Sequence, residues 1–270
     1  MKKERVEFID NRPGDAEIRL CHLFRERQNY NIHYTLPFNT LLLILDEGDR
    51  SSGFENVRTG EVCVPKTGDV LLLPAMLPVL SRPRDSMWYL AVHYNLELLP
   101  GCDVFDGEGR FFRENLPAET IEMNRVFDAG NRIETLFRFQ QFLLNFSLRH
   151  WPADCERKVF RMNPFNPVLN YIRENVNAKM NVAELADFFG ETPASFSRKF
   201  HRALGMSPKN FLDKELLNKI QPLFNCETLK VRDIAEQMNF ASEAYFSTFF
   251  KRLTGISPEE YRRMIIKSKF

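Results

Sequence analysis

From Val182 to Pro208 the chain reads VAELADFFGETPASFSRKFHRALGMSP, and from Val231 to Pro258 it reads VRDIAEQMNFASEAYFSTFFKRLTGISP. Laid over each other, Leu185-Ala186 falls on Ile234-Ala235, Phe196 on Phe246 and Phe200 on Phe250. Gly205-Met206-Ser207-Pro208 falls on Gly255-Ile256-Ser257-Pro258. The offset is 49 residues at the start and 50 at the end, so the second copy holds one extra residue between Ala235 and Phe246, where a turn is expected. Self-similarity of this kind marks a repeated structural unit.

Each copy reads as a short helix, a tight turn, a second helix and a stop. Val231, Ile234, Ala235 and Met238 share one helical face. Gly190 and Asn239 suit the left-handed conformation that ends a helix. Thr192 before Pro193, and Ser242, are caps for the next helix, and Ser207-Pro208 and Ser257-Pro258 repeat the cap-and-proline start. The small Ala186 and Ala235 suit a close helix crossing. This is the helix-turn-helix arrangement, whose second helix can enter a DNA major groove. A plain helical bundle would account for one such copy, but two with matched ends point to a paired reader.

At this point the chain resembles the AraC/XylS-type transcription regulators. The family's C-terminal signature is matched by Ala235, Phe240, Ser242, Tyr245-Phe246, Phe250-Lys251, Gly255, Ser257-Pro258 and Tyr261-Arg262. The resemblance is strong over roughly the last hundred residues and covers the rest in general layout. It implies double-stranded DNA as a partner, RNA polymerase as a second, and a homodimer that acts as a regulator or activator in the cytoplasm.

The 270 residues are enough for two domains with their own cores. Hydrophobic content of 44% with 25 Phe points to filled cores rather than disorder. The net charge of +1 hides a split: residues 161–270 carry 17 Lys+Arg against 12 Asp+Glu, while residues 1–160 carry 20 against 24. A basic part joined to an acidic part fits a DNA reader attached to a different module. Five scattered Cys without a C-x-x-C pair argue against zinc ribbons and a disulfide framework, and for a reducing compartment. No signal-peptide pattern follows Met1, and no apolar run approaches transmembrane length, so no membrane role is expected.

Between about residues 15 and 100, Glu17–Arg25, Thr40–Leu45, Glu61–Pro65, Asp69–Leu73 and Met87–Tyr94 read as strands. Turn residues separate them at Asp46-Glu47-Gly48-Asp49, Arg58-Thr59-Gly60, Lys66-Thr67-Gly68 and Arg82-Pro83-Arg84-Asp85. Short strands without intervening helices predict a β-barrel or double-sheet jelly roll. Thr67-Gly68-Asp69-Val70-Leu71-Leu72-Leu73-Pro74 resembles a strand of the cupin-like sensor domain found in this family. Cupin enzymes hold a metal with several His and a Glu. Here the expected second-motif His is Val79, Tyr34-Thr35-Leu36-Pro37-Phe38 replaces a His-x-His, and His33, His22 and His93 read as isolated. No metal, no cofactor and no enzymatic activity are therefore expected; a small-molecule effector, a carbohydrate or other metabolite, is. Along Met87–Tyr94, alternation sends Trp88, Leu90, Val92 and Tyr94 to one face and Tyr89, Ala91 and His93 to the other, and either set suits a ligand or a core.

Residues 101–117 read as a loop. From Glu119 to about His150 the pattern is helical, broken at Gly130, with Met123, Val126, Phe127, Ile133, Leu136, Phe137, Phe139, Phe142, Leu143 and Phe146 demanding burial against the barrel or a second subunit. Asn166 is expected to cap a helix begun by Pro167. The fold predicted is α+β in two domains: a cupin-like β domain over residues 1–117, a helical linker or dimerisation segment over 118–157, and an all-α domain with two helix-turn-helix motifs over 160–270. Between the copies, Phe211–Phe224 forms a spacing helix that Pro222 should kink or end early.

In the first reading helix, Phe196 and Phe200 point inward, leaving Ala194, Ser195, Ser197, Arg198 and His201 outward. In the second, Glu243, Ala244, Tyr245, Ser247 and Thr248 correspond. Arg198 matches a family position that reaches a base, and Arg can bond two guanine acceptors at once. Thr248 stands where many members carry Arg. Lys209, Lys251, Arg252, Arg262 and Arg263 are candidate phosphate contacts. Two alternatives are kept: a metal-free cupin-like module that binds another protein, and an enzyme tethered to DNA by the second domain.

Overall fold

The computed structural model describes residues 17–28, 31–48, 52–82, 87–226 and 228–267. The turn at Arg82-Pro83-Arg84-Asp85 lies, past Arg82, outside the described residues, as do Asp49 and the residues around Met1. The amino-terminal part holds β1 (Glu17–Gln28), β2 (Ile32–Tyr34), β3 (Asn39–Asp46), β4 (Gly53–Asn56), β5 (Val62–Cys63), β6 (Asp69–Leu73), β7 (Val79–Arg82), β8 (Met87–Leu99), β9 (Cys102–Asp103) and β10 (Phe112–Asn115). One antiparallel sheet runs β1-β8-β3-β6-β10 with β9 on β8, and a second runs β2-β7-β4-β5. These are two jelly-roll-like sheets rather than a closed barrel.

The larger sheet is covered on both faces, which explains why Thr40–Leu45 shows no polar alternation. Leu41, Leu43, Leu90, Val92 and Tyr94 pack with the helices that follow the sheets. Leu42, Ile44, Leu71, Tyr89 and Ala91 pack with Phe54 and Val79 of the smaller sheet. The two faces of β8 thus separate as alternation predicted, and Val79 is a buried core residue.

Four sequence-based expectations are corrected here. Residues 101–117 are not one loop: β10 pairs with β6, placing Phe112 opposite Leu72, and Phe112 is buried in the core beneath the helices. β1 and β8 run longer than expected, because each continues the other's antiparallel ladder from Glu17↔Glu97 to Gln28↔Met87. That same register sets His22 opposite His93, so the two are not isolated: their Nδ1 atoms lie 3.2 Å apart. Asn166 does not cap. Its backbone is already helical (φ −51, ψ −43), because a 3-10 turn at Asn163–Phe165 runs straight into the helix.

The helices are α1 (Pro117–Ala129), α2 (Arg132–Arg149), α3 (Cys155–Met162), α4 (Asn166–Asn175), α5 (Val182–Phe188), α6 (Pro193–Leu204), α7 (Pro208–Ile220), α8 (Val231–Gln237), α9 (Glu243–Thr254) and α10 (Pro258–Lys267). Gly130 ends α1 with φ 69. α1 and α2 cover the larger sheet with Met123, Val126, Phe139, Phe142, Leu143 and Phe146. α7 ends at Ile220 and passes into a 3-10 turn, Gln221–Asn225, as expected where Pro222 withholds a backbone N–H and crowds the preceding turn.

Candidate nucleic-acid interface

Local chemistry builds α6 and α9 the same way. The Thr192 hydroxyl accepts from Ser195 N at 3.4 Å to start α6, and the Ser242 hydroxyl accepts from Tyr245 N at 3.1 Å to start α9. Each such cap is worth about 1 kcal/mol. The turns before them carry the left-handed residues Gly190 (φ 76) and Asn239 (φ 60), and both helices end on left-handed glycines, Gly205 and Gly255. Phe196, Phe200, Phe246 and Phe250 are fully buried in one core, with Leu185, Ala186, Ile234 and Ala235 beneath them. Phe165 stacks on Phe189 and meets Phe196 and Phe200 edge-on, while Phe224 and Tyr261 close the second half.

With the aromatic side fixed inward, the outward side follows. Ala194, Arg198 and His201 of α6 are exposed, and Ser195 and Ser197 are half-buried beside them. On α9, Glu243, Ala244, Tyr245 and Thr248 are exposed and Ser247 is half-buried. Each predicted set therefore lies along one helix face. Among the described residues Arg198 enters no ion pair, whereas its neighbour Lys199 pairs with Glu191. The Thr248 hydroxyl donates to its own helix at Ala244 O, 3.0 Å away. Lys251 is exposed. Lys209 and Arg252 both reach Asp213 on α7, at 2.6 and 3.0 Å, with their outer parts still in solvent. Arg262 is turned inward, donating to Leu229 O and lying over the Phe224 ring, so it is less available to a phosphate than its sequence position implied. Arg263 is exposed.

The amino-terminal domain touches this unit. Glu97, on β8, is buried and accepts from Arg173 of α4, from Arg19 at 3.3 Å and from Gly101 N at 3.1 Å. Burial, with Arg19 beside it, pulls the Arg173 pKa below the ordinary value. Thr35 N donates to Thr254 O at the end of α9, 2.9 Å away. Leu99 and Cys102 join the core of the helical domain. Gly101 (φ +70) sits so close to α7 that a Cβ there would lie 2.7 Å from Phe211 and 2.6 Å from Glu215. None of the contacts between the two domains was legible in the sequence, because each joins residues far apart along the chain.

Among the described residues no group of three or more His, Cys, Asp and Glu is arranged to hold a metal ion, and no helix is long and apolar enough to cross a membrane.

Comparison with known proteins agrees with this geometry. A family model described as "Helix-turn-helix domain" matches residues 185–264. The chain is 23% identical over 253 residues to the raffinose operon transcriptional regulatory protein RafR of Pediococcus pentosaceus, spanning 88% of this chain and 86% of that one. It is 25% identical to the arabinose operon regulatory protein of Salmonella typhimurium (81% and 83% covered). With the lactose operon transcription activator of Staphylococcus xylosus it shares 24% identity, with 92% of each covered. Apo ToxT from Vibrio cholerae has the same fold, with a TM-score of 0.63 at 12% identity over 94% of this chain and 99% of that chain. A form of ToxT with an unsaturated fatty acid bound superposes with a TM-score of 0.59 at 11% identity, over 95% of this chain and 98% of that chain.

Proposed function

We propose that this chain, an AraC-type DNA-binding transcription regulator, reads its operator with the outward faces of α6 and α9 under the control of a small molecule held by its amino-terminal domain. The observation that carries the DNA reading is the repeat itself: two capped helices whose phenylalanines are fully buried, each with one polar face left to solvent. Arg198, Ser195 and His201 would meet bases from the first head, and Tyr245, Ser247 and Thr248 from the second. Ala194, Glu243 and Ala244 line the same faces, and Lys209, Lys251 and Arg252 would meet phosphates. Footprinting of the DNA flanking the protein's own coding region tests this. Two protected stretches about 10 base pairs apart are expected, one per head; absence of any protected stretch would overturn the reading.

The effector reading rests on the region between the two sheets. There the Tyr89 hydroxyl lies 2.9 Å from Gln28 Oε1 and 3.1 Å from Glu26 Oε2, with one hydrogen to give between them, and the Ser81 hydroxyl donates to Gln28 at 3.1 Å. These polar groups sit against the apolar residues of the inter-sheet core, the mixture that a carbohydrate or similar metabolite uses. The names of the raffinose, arabinose and lactose operon relatives favour a sugar; the ToxT complex makes a fatty acid the rival. Thermal-shift screening of sugars against fatty acids decides between them, and the reading fails if neither class raises the melting temperature.

A homodimer through α2 is part of the same reading. The inner face of α2 is buried, but Ile133, Phe137, Leu144 and Leu148 stand 70%, 64%, 42% and 54% exposed along one outward stripe. The stripe is its own mirror image about Gln140-Gln141: pairing α2 antiparallel with a copy of itself sets Ile133 against Leu148 and Phe137 against Leu144. That is the self-complementarity a two-fold interface needs. RNA polymerase contact, activation and a cytoplasmic location follow from the family and belong to the proposal; no catalytic role is included.

A further inference from the structure

Asp213, Lys214 and Glu215 are adjacent on α7, and all three are buried, at 3%, 2% and 7% exposure. Consecutive helical residues point about 100° apart, so a helix buries three charges in a row only when it is enclosed on several sides. The contacts identify what encloses it. Asp213 accepts from Arg252 of α9, the second reading helix, and from Lys209 one turn back on α7. Lys214 Nζ lies 2.6 Å from both carboxylate oxygens of Asp106 and 3.0 Å from Gly101 O, all in the amino-terminal domain. Glu215 lies against Gly101 and accepts from Asn218 at 2.9 Å. The rest of α7 packs Phe211, Leu212, Leu216 and Leu217 into the core that also holds α6.

A buried ion pair adds little net stability compared with apolar packing of the same volume, but it penalises any arrangement that leaves one partner buried and unpaired. Burial works against the Lys214 charge, yet Asp106 and Glu215 more than offset it, and the Lys214 pKa stands above the ordinary lysine value. The lysine is thus kept charged in a buried site that exists only while the two domains stay docked.

We infer that Asp213-Lys214-Glu215 is the junction through which the amino-terminal domain sets the placement of the two reading heads, with Lys214 and Asp213 as positioning residues. Lys214 ties α7 to the amino-terminal domain and Asp213 ties it to α9, so a shift of the 101–106 segment is passed to both heads at once. This rests on the reading of α6 and α9 as DNA-contacting helices.

The test uses the full chain and its footprinted operator, beside operators with one or five base pairs inserted between the two protected stretches. Wild type should prefer the native spacing at least tenfold. Lys214→Met and Asp106→Asn should each cut that preference at least fivefold, and the double variant should go no further than the larger single effect. Affinity for a single protected stretch should stay within twofold, a pattern that mere loss of stability would not produce. Asp213→Asn should relax spacing in the same way from the α9 side. The inference is overturned if wild type shows no spacing preference, or if the variants keep it within twofold. Should Lys214→Met fail to fold, Asp106→Asn decides from the opposite domain. Failure of wild type to bind any operator would defeat the DNA reading itself, and this inference with it.

Discussion

Arg198 and Thr248 occupy matching outward places on α6 and α9, but their side chains offer different chemistry. A guanidinium can bond two acceptors on guanine, and a bidentate contact is worth about 1–3 kcal/mol of discrimination. Thr248 spends its hydroxyl hydrogen on Ala244 O. Arg198→Ala is therefore expected to weaken operator binding about tenfold or more and to relax specificity at one base pair, while Thr248→Ala changes little. Lys251→Ala should weaken binding to all sequences alike and lower the salt slope by about one. Titrations on operator and scrambled DNA at two salt concentrations check all three, and a larger loss from Thr248→Ala than from Arg198→Ala would make α9 the main reader. A second residue-scale prediction concerns Asp103. Its carboxylate is buried and lies near Asp106, which raises its pKa from 3.8 to about 6 despite hydrogen bonds from Asn39 and Phe105 N. The folded chain therefore holds this proton more tightly than the unfolded chain. The associated stability is fully present below about pH 4 and is lost as pH rises through 6. Relative to Asp103→Asn, wild type should gain on the order of 1 kcal/mol between pH 7.5 and pH 5. Paired melting curves at the two pH values would show this, and a difference that is flat or of opposite sign counts against it.

At the scale of elements, the helices were legible and most strand partners were not. Caps, Phe pairs four apart and left-handed turn residues act within a few positions, so α5, α6, α8 and α9 can be read directly from the repeat. Pro222 likewise announced the end of α7. β2, β4 and β7 are three or four residues long with polar members such as His33, Glu55 and Ser81, and only their mutual pairing makes them strands. His22 and His93 became neighbours for the same reason. α2 shows where periodicity runs out: its nine apolar positions gave no way to divide those facing the sheet from those facing outward. The division leaves Phe137 at 64% exposure. Phe137→Glu should turn a dimeric chain into a monomer at tens of micromolar, as seen by light scattering, without lowering its melting temperature; a wild-type monomer under these conditions would refute the interface.

The whole molecule departs furthest from the sequence-based picture. Two modules with opposite net charge suggested parts joined by a linker. Instead Leu99 and Cys102 enter the core of the helical domain, and Glu97, Asp106 and Thr35 bond to it. Nothing in the sequence marks the adjacent charges Asp213-Lys214-Glu215 as buried; only tertiary enclosure makes them so. A shared core predicts that the full chain melts in one cooperative transition by calorimetry. Two separated transitions would mean that the domains unfold independently and the interface is weak.

The contact at Gly101 also makes the docked state fragile to the smallest possible mutation. The backbone there is left-handed, and the space a methyl group would fill is already occupied by Phe211 and Glu215. Alanine at this position is the thinnest wedge that protein chemistry allows, inserted at the seam between the amino-terminal domain and the helical domain. A single-site library at position 101, graded by side-chain volume, would therefore act as a set of shims. It would open the seam by known increments while every reading residue stays unchanged.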